Sequence, residues 1–295
     1  MAGDVGRRRY FRIELADGRS AIGVVYPADE DGARRRWLAA HRHLGGAVRL
    51  PAIVADDETG RQIVEDLGSE DLASRCAAHP SEREDWVARA VDAGAAIAEL
   101  SDPEINAAFD AALFRRELAL AREAVFDLLE RRPLSESEAR VHDAWADALV
   151  AEILRHPVAL CHRDFHANNL FPSGTTVGVI DFQDARVGPD TYDLASLLWE
   201  RTTLDWMDEA LARGAIARWA SRRSLAASDV AVRLDRVLLQ RAWKVCGTFA
   251  RAVAEGRGDV YRRYLPGQLA LVRRLLTDRP EDRRFAEILS ARTVC

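Results

Sequence analysis

The chain has 295 residues, 48% of them hydrophobic, and a formal charge of −5. That length supports a large core and fits one protein of two lobes better than several independent domains. The mild acidity argues against a nucleic-acid binder, although the cations are almost all arginine and can still gather into a local anion site. No uninterrupted apolar run reaches membrane-spanning length and the polar, arginine-rich start does not read as a signal peptide, so a cytoplasmic protein without membrane association is expected. The cysteines Cys76, Cys161, Cys246 and Cys295 are scattered with no Cys-x-x-Cys pair, and buried thiols are expected rather than disulfides or a zinc knuckle.

Tyr10 to Leu15 and Ser20 to Tyr26 alternate or run apolar around the turn Ala16-Asp17-Gly18, which predicts two strands. A helix is predicted from Ala33 to Leu44 and a further strand from Arg61 to Val64. After Asp66-Leu67-Gly68 helical spacing takes over, with helices predicted over about 81–100, 110–130, 136–155, 193–201, 205–219, 228–254, 258–276 and 280–291. Ser81-x-x-Glu84 resembles a capping box at the first of these. The pattern predicts an α+β protein: a small β-rich lobe over 1–67, a large helical lobe over 68–295, and a cleft suited to a nucleotide.

One stretch interrupts the helices and carries the chemistry. Cys161-His162-Arg163-Asp164-Phe165-His166-Ala167-Asn168-Asn169 fits the pattern H-x-D-x-x-x-x-N, and Val179-Ile180-Asp181-Phe182 follows after a short gap. Phosphoryl transfer needs a carboxylate to orient and deprotonate the attacking hydroxyl, and oxygen ligands to hold magnesium on the nucleotide phosphates. Asp164 suits the first role, Asn169 and Asp181 the second. Asn169-Leu170-Phe171 and Thr176 to Ile180 flank the turn residues Pro172-Ser173-Gly174, which predicts a β-hairpin. Folding it brings Asn169 and Asp181 to the same end, with Asp164 on the loop leading in. A zinc triad of His162, Asp164 and His166 is a weaker fit, because the later Asn169 and Asp181 suit magnesium.

These residues resemble the aminoglycoside phosphotransferase and choline kinase group over nearly the whole chain. Within that group the sequence looks most like the bacterial anomeric kinases of N-acetylmuramate and N-acetylglucosamine, which serve cell-wall recycling. The likeness is carried by Arg9-Tyr10-Phe11-Arg12, by His162 to His166 and Asn169-Leu170, and by Val179 to Ala185 with Gly188-Pro189. Thr191 to Leu194, Ser196 to Leu198, Arg116 to Leu120, Lys244 to Gly247 and Phe249 to Arg251 extend it. The resemblance implies a two-lobed protein-kinase-like fold, ATP as donor, magnesium, and a sugar hydroxyl as acceptor. It also implies a hinge over Ile63 to Leu67, where backbone groups at Val64, Glu65 and Asp66 would meet adenine.

The broader kinase pattern pairs a strand lysine with a helical glutamate. Here Ala21 to Tyr26 holds no lysine and Ala33 to Leu44 no glutamate. Losing both is physically coherent, since removing one alone leaves a buried charge unpaired. Another group must then neutralise the phosphates, and Arg7, Arg8, Arg9 and Arg12 are candidates, with a solvated charge run as the alternative.

The remaining candidates are graded by chemistry. His162 suits a role in ordering the catalytic loop rather than touching substrate. Arg163 suits an anionic phosphate, a sugar acid or a neighbouring carboxylate. His166 and Asp184 are candidate substrate contacts, and Asp193 a helix N-terminal group. Lys244 is the only lysine of the chain and a candidate for a position that needs a compact ammonium, or a chance residue on a polar helix flank. Trp86, Trp199 and Trp243 are expected in the core. Alternatives of other classes remain an aminoglycoside or choline-type kinase, and a nucleotide-binding module without turnover.

Overall fold

The computed structural model describes residues 8–27, 31–57, 59–256 and 259–292. The chain forms two compact units, one of Met1–Ala107 with Leu160–Arg186, the other of Ala108–Ala159 with Val187–Cys295.

The first unit opens with β1 (Arg9–Glu14) and β2 (Ser20–Val25), passes through α1 (Asp31–Leu44), and adds β3 (Ile53–Asp56) and β4 (Arg61–Glu65). These strands make an antiparallel sheet in the order β1-β2-β4-β3. Gly18 holds the β1–β2 turn at φ +80°, where a Cβ would be penalised. Tyr10 pairs Val24, Arg12 pairs Ile22, and across β2 Val24 pairs Gln62 and Ile22 pairs Val64. Side chains of paired residues share a face and alternate along each strand, so Arg8, Tyr10, Arg12, Ile22, Val24, Tyr26, Gln62 and Val64 all belong to one face. That parity positions the site.

Two short helices follow, α2 (Leu72–Ala78) and, after a 3-10 turn at Pro80–Glu82, α3 (Arg83–Ala98). The unit resumes inside β5 (Val158–Cys161), makes a 3-10 turn at Ala167–Asn169, and folds β6 (Leu170–Ser173) onto β7 (Thr176–Val179). The hairpin is thus formed where turn chemistry predicts it. A Cβ on Gly178 would come within 2.8 Å of Leu67, so this glycine lets Leu67 seat on the hairpin. The chain leaves the unit inside β8 (Arg186–Pro189).

The second unit is helical: α4 (Ala111–Arg122) running into a π-helix at Glu123–Leu129, α5 (Glu136–Ile153), α6 (Tyr192–Leu198), α7 (Glu209–Arg222), α8 (Ala227–Ala254), α9 (Asp259–Thr277) and α10 (Arg283–Arg292). Phe126, Trp145, Trp243 and Phe285 are buried at its centre, with the Trp145 and Phe285 rings 4.4 Å apart. A Cβ on Gly247 would lie 2.4 Å from the Ala121 Cα, so glycine lets α4 and α8 approach backbone to backbone.

The predicted α+β class and most elements agree with this structure, and the differences have local causes. The helix expected from 110 to 130 is split by the π segment. The one expected from 205 begins at Glu209, because Arg201–Asp205 forms a 3-10 turn and Asp208 caps α7, accepting from the Leu211 N–H at 2.8 Å. β3 and α2 are too short to show a period. The Ser81 capping box does not form: Pro80 starts the 3-10 turn, and α3 begins at Arg83 without a side-chain cap. Cys76, Cys161 and Cys246 are buried thiols, while Cys295 lies outside the described residues. Trp243 is fully buried as expected, whereas Trp86 and Trp199 are half-buried.

Candidate active site

The loop after β5 is held from several sides. His162 is fully buried, and its Nε2 donates to the Ile180 carbonyl at 2.9 Å; a carbonyl only accepts, so the proton sits on Nε2. That bond ties the loop to the residue before Asp181. Arg163 takes φ +83°, a left-handed conformation rare for a residue with a side chain. Half-buried Asp164 follows, and its carbonyl accepts from Asn169 Nδ2 at 2.8 Å, which leaves Asn169 Oδ1 as the acceptor end of that amide. Asn168 Nδ2 donates to Asp71 at 2.8 Å, and Asp71 also caps α2.

The hairpin then aligns the second half of the motif. The Ile180 N–H donates to the Asn169 carbonyl at 3.0 Å, extending the β6–β7 ladder by one rung and setting Asn169 and Asp181 at one end. Asp181 is exposed and left-handed, φ +65°, and its Oδ1 accepts from Gln183 Nε2 at 2.8 Å. Strained backbone of this kind persists only where neighbours over-determine it. Here Phe182 is buried against Trp37 and His41 of α1, with ring centroids 5.1 and 5.9 Å away. Asn106 Nδ2 completes the fixation by donating to the Gln183 and Ala185 carbonyls, each at 2.9 Å.

Asn169 and Asp181 form part of the wall of a cavity of about 340 Å³. The sheet face described above, from Arg8 to Val64, also lines it, together with Glu65, Asp66, Leu67 and Gly68. This volume falls within the range of small-ligand pockets. Glu65 and Asp66 are engaged by neighbours: Glu65 pairs with Arg49 and accepts from the Ala52 N–H at 3.0 Å. The Arg49 hydrogen bond holds its carboxyl below the usual carboxylate range. Asp66 accepts from Arg12 Nε at 2.7 Å, Ser20 at 2.9 Å and the Gly68 N–H at 3.0 Å. Burial pushes its carboxyl up, and these donors more than offset that, leaving it below its ordinary value.

The other predicted residues separate. Arg8 lines the cavity, with its guanidinium 6.0 Å from the Tyr10 ring centre. Arg9 is one residue on and so of opposite parity; its guanidinium lies 5.9 Å from the Phe11 ring, and it is not among the lining residues. Arg7 lies outside the described residues. Arg163 and Asp184 approach to 3.9 Å, which fits the carboxylate-pairing alternative for Arg163. His166 is buried beside Asn169, its Nε2 3.4 Å from Asn169 Nδ2. Lys244 is half-buried on α8 in the second unit, and Asp193 is buried in the first turn of α6. Tyr26 and Gln62 were not anticipated. The signal was available, since Gln62 is a polar residue at the buried parity of Arg61-Gln62-Ile63-Val64.

Among the described residues no three His, Cys, Asp or Glu side chains gather as a metal cage. The donor set is Asn169 Oδ1 with the exposed Asp181. One carboxylate and one amide oxygen suit a magnesium that keeps waters and shares phosphate oxygens, and suit zinc poorly.

The fold is that of protein-kinase-like small-molecule kinases. A choline/ethanolamine kinase family protein from Mesorhizobium loti has a TM-score of 0.63 at 16% identity, over 92% of this chain and 87% of that one. The gentamicin complex of APH(2")-IIa gives 0.62 at 16% identity, over 95% and 94%. The profile of the phosphotransferase enzyme family matches residues 1–227, and the chain belongs to that family. In sequence it is 29% identical to an N-acetylmuramate/N-acetylglucosamine kinase of Pseudomonas aeruginosa, over 98% of this chain and 86% of that protein. It is likewise 29% identical to a protein of the same name from Neisseria meningitidis, over 97% and 86%.

Proposed function

We propose that this protein is an ATP-dependent sugar kinase acting on the anomeric hydroxyl of N-acetylmuramate or N-acetylglucosamine. The observation that carries the reading is the joining of motif and cavity: Asn169 and Asp181 line a pocket of small-ligand size, and Asn169 is hydrogen-bonded to the loop residue Asp164. The relatives of that name, alike over nearly the whole chain, support the acceptor. Residues 1–67 would form the nucleotide lobe and hinge, with catalytic loop and acceptor site in 68–295. No described helix is long and apolar enough to cross a membrane; a cytoplasmic location is part of the proposal.

In the reaction the sugar oxygen attacks the γ-phosphorus, the bond from that phosphorus to the β–γ bridging oxygen breaks, and ADP leaves. Asp164 orients the hydroxyl and takes its proton. His162 fixes the loop, Arg163 pairs with Asp184, and His166 and Asp184 are candidate sugar contacts, with Lys244 a candidate on α8. Backbone groups at Val64, Glu65 and Asp66 meet the base, while Arg8, of the N-terminal arginines, lines the cavity and faces the phosphates. Asn169 and Asp181 would hold magnesium, which when bound supplies neutralising charge to the phosphate oxygens.

Coupled ADP release with Mg-ATP, run on N-acetylmuramate, N-acetylglucosamine, kanamycin and choline, tests the proposal. Turnover is expected on the acetylated sugars, falling ~10²–10⁴-fold in Asp164→Ala. Reaction of kanamycin or choline alone overturns the acceptor, and undiminished turnover in the variant overturns the base.

A further inference from the structure

The sheet face of the cavity carries a polar chain that runs from Arg8 to two residues without a role in the kinase reaction, Tyr26 and Gln62. Arg8 lies one step beyond the Arg9–Val25 pair, which sets it opposite Tyr26, and its guanidinium donates to the Tyr26 hydroxyl. Tyr26 Oη in turn donates to Gln62 Oε1 at 3.3 Å. Tyr26 is 4% exposed and Gln62 2% exposed. Direction along the chain is forced: guanidinium can only donate, so the phenol accepts from it and must pass its own proton on, and the amide must present oxygen. Gln62 Nε2 is then left buried without a partner, an arrangement that packing alone does not favour.

Asp181 lines the same cavity as Arg8 and acts on its charge. Burial works against the Arg8 charge, but Tyr10, Asp181 and Tyr26 outweigh it, so the guanidinium stays firmly protonated. Burial pushes the Tyr26 hydroxyl up to about 12, which keeps it a proton donor to Gln62. β2 offers no lysine and α1 no glutamate.

Resting on the kinase reading, we propose that Tyr26 and Gln62 are positioning residues that hold Arg8 as the phosphate-binding cation of this pocket, a neutral relay standing in for a buried lysine–glutamate pair. The relay fixes the guanidinium without neutralising it. A carboxylate in place of Gln62 would divert the charge from the nucleotide; a phenol and an amide only aim it.

Calorimetric affinities for ATP, ADP and adenosine, with thermal midpoints, test this in wild type, Arg8→Met, Tyr26→Phe, Gln62→Met and the Arg8→Met/Tyr26→Phe pair. Arg8→Met should weaken ATP and ADP by ~10–100-fold, as for losing hydrogen bonds to a charged group, and leave adenosine unchanged. Tyr26→Phe and Gln62→Met should weaken the phosphorylated ligands by a smaller ~3–10-fold, again sparing adenosine. The pair should bind no worse than Arg8→Met alone, because the relay acts only through that arginine. Equal losses for adenosine and ATP, or additive losses in the pair, would reduce Tyr26 and Gln62 to packing and overturn the proposal. Unchanged ATP affinity in Arg8→Met, with sugar turnover intact in the wild type, overturns it while sparing the kinase reading. A wild type that binds no ATP removes both.

Discussion

Arg236 on α8 gives its Nη1 and Nη2 to Asp282 at 2.6 and 3.3 Å and its Nε lies 3.0 Å from Glu152, with Arg236 and Asp282 each 2% exposed. Arg241 reaches Glu200 at 2.6 Å and Ser196 at 2.9 Å, and its guanidinium lies 4.3 Å from the Tyr192 ring. Asp190 is clasped by Arg233 at 2.8 and 3.1 Å. In the first unit Arg8 leans on a phenol and lines a cavity that Asp181 also lines. Where a cation is enclosed by carboxylates, its charge is spent on holding helices in register. The proposal for Arg8 requires the opposite, that a cation held by neutral groups beside a cavity keeps its charge for a ligand.

The contrast fails if the two kinds of arginine respond alike. Arg236→Met should cost about 3–5 kcal/mol, because it leaves Asp282 buried and uncompensated. Arg8→Met, beside an exposed carboxylate, should cost less than about 1 kcal/mol. Urea midpoints of the two variants measure this directly, and comparable losses would erase the distinction.

His142 sharpens the same point with a proton instead of a side chain. Its Nε2 accepts from Trp243 Nε1 at 3.3 Å and its Nδ1 donates to Asp143 at 3.0 Å, so the ring is neutral. Burial pushes its pKa down to about 4. Because the unfolded ring takes up its proton near the ordinary value of about 6.5, the unfolded state binds more protons between the two values. Stability contributed here is present above pH ~6.5 and is lost as the pH falls towards about 4, by up to about 3 kcal/mol. Carboxylates titrate over the lower part of that window. The clean reading is therefore the difference in unfolding free energy between wild type and His142→Gln from pH 6.5 to 5. A difference that does not change with pH would mean that this interior tolerates a buried imidazolium.

Much of the candidate site was legible because its residues sit close together in sequence: Asn169 and Asp181 are placed by one hairpin whose turn residues announce it, with His162 and Asp164 on the loop leading in. The relay was harder to see. Arg7, Arg8 and Arg9 look alike as a run, and only the register Arg9 to Val25 separates the arginine in the cavity from the one on the far face. That register depends on where the β1–β2 turn closes. Gln62 and Tyr26 are 36 residues apart, and their bond follows from strand order in the sheet, which periodicity does not encode. β3 and α2 escaped because four and seven residues carry too few periods to be read.

The smallest expected effect separates two serines that read alike in sequence. Ser81-x-x-Glu84 and Ser135-x-x-Glu138 both match the capping box, yet only the second forms one: Ser135 Oγ donates to Glu138 at 2.6 Å, and the Ser135 N–H donates to the same carboxylate at 2.9 Å. Pro80 explains the failure of the first, since it begins a 3-10 turn that carries Ser81 inside and moves the start of α3 to Arg83. Arg292 also holds Glu138, so removing the hydroxyl leaves the carboxylate anchored and costs only the cap itself. Ser135→Ala should therefore destabilise by about 1 kcal/mol, and Ser81→Ala by less than about 0.5 kcal/mol. Thermal melts of the two variants decide it, and a loss at Ser81 as large as that at Ser135 would restore the box that the motif promised and shift the start of α3 back towards it.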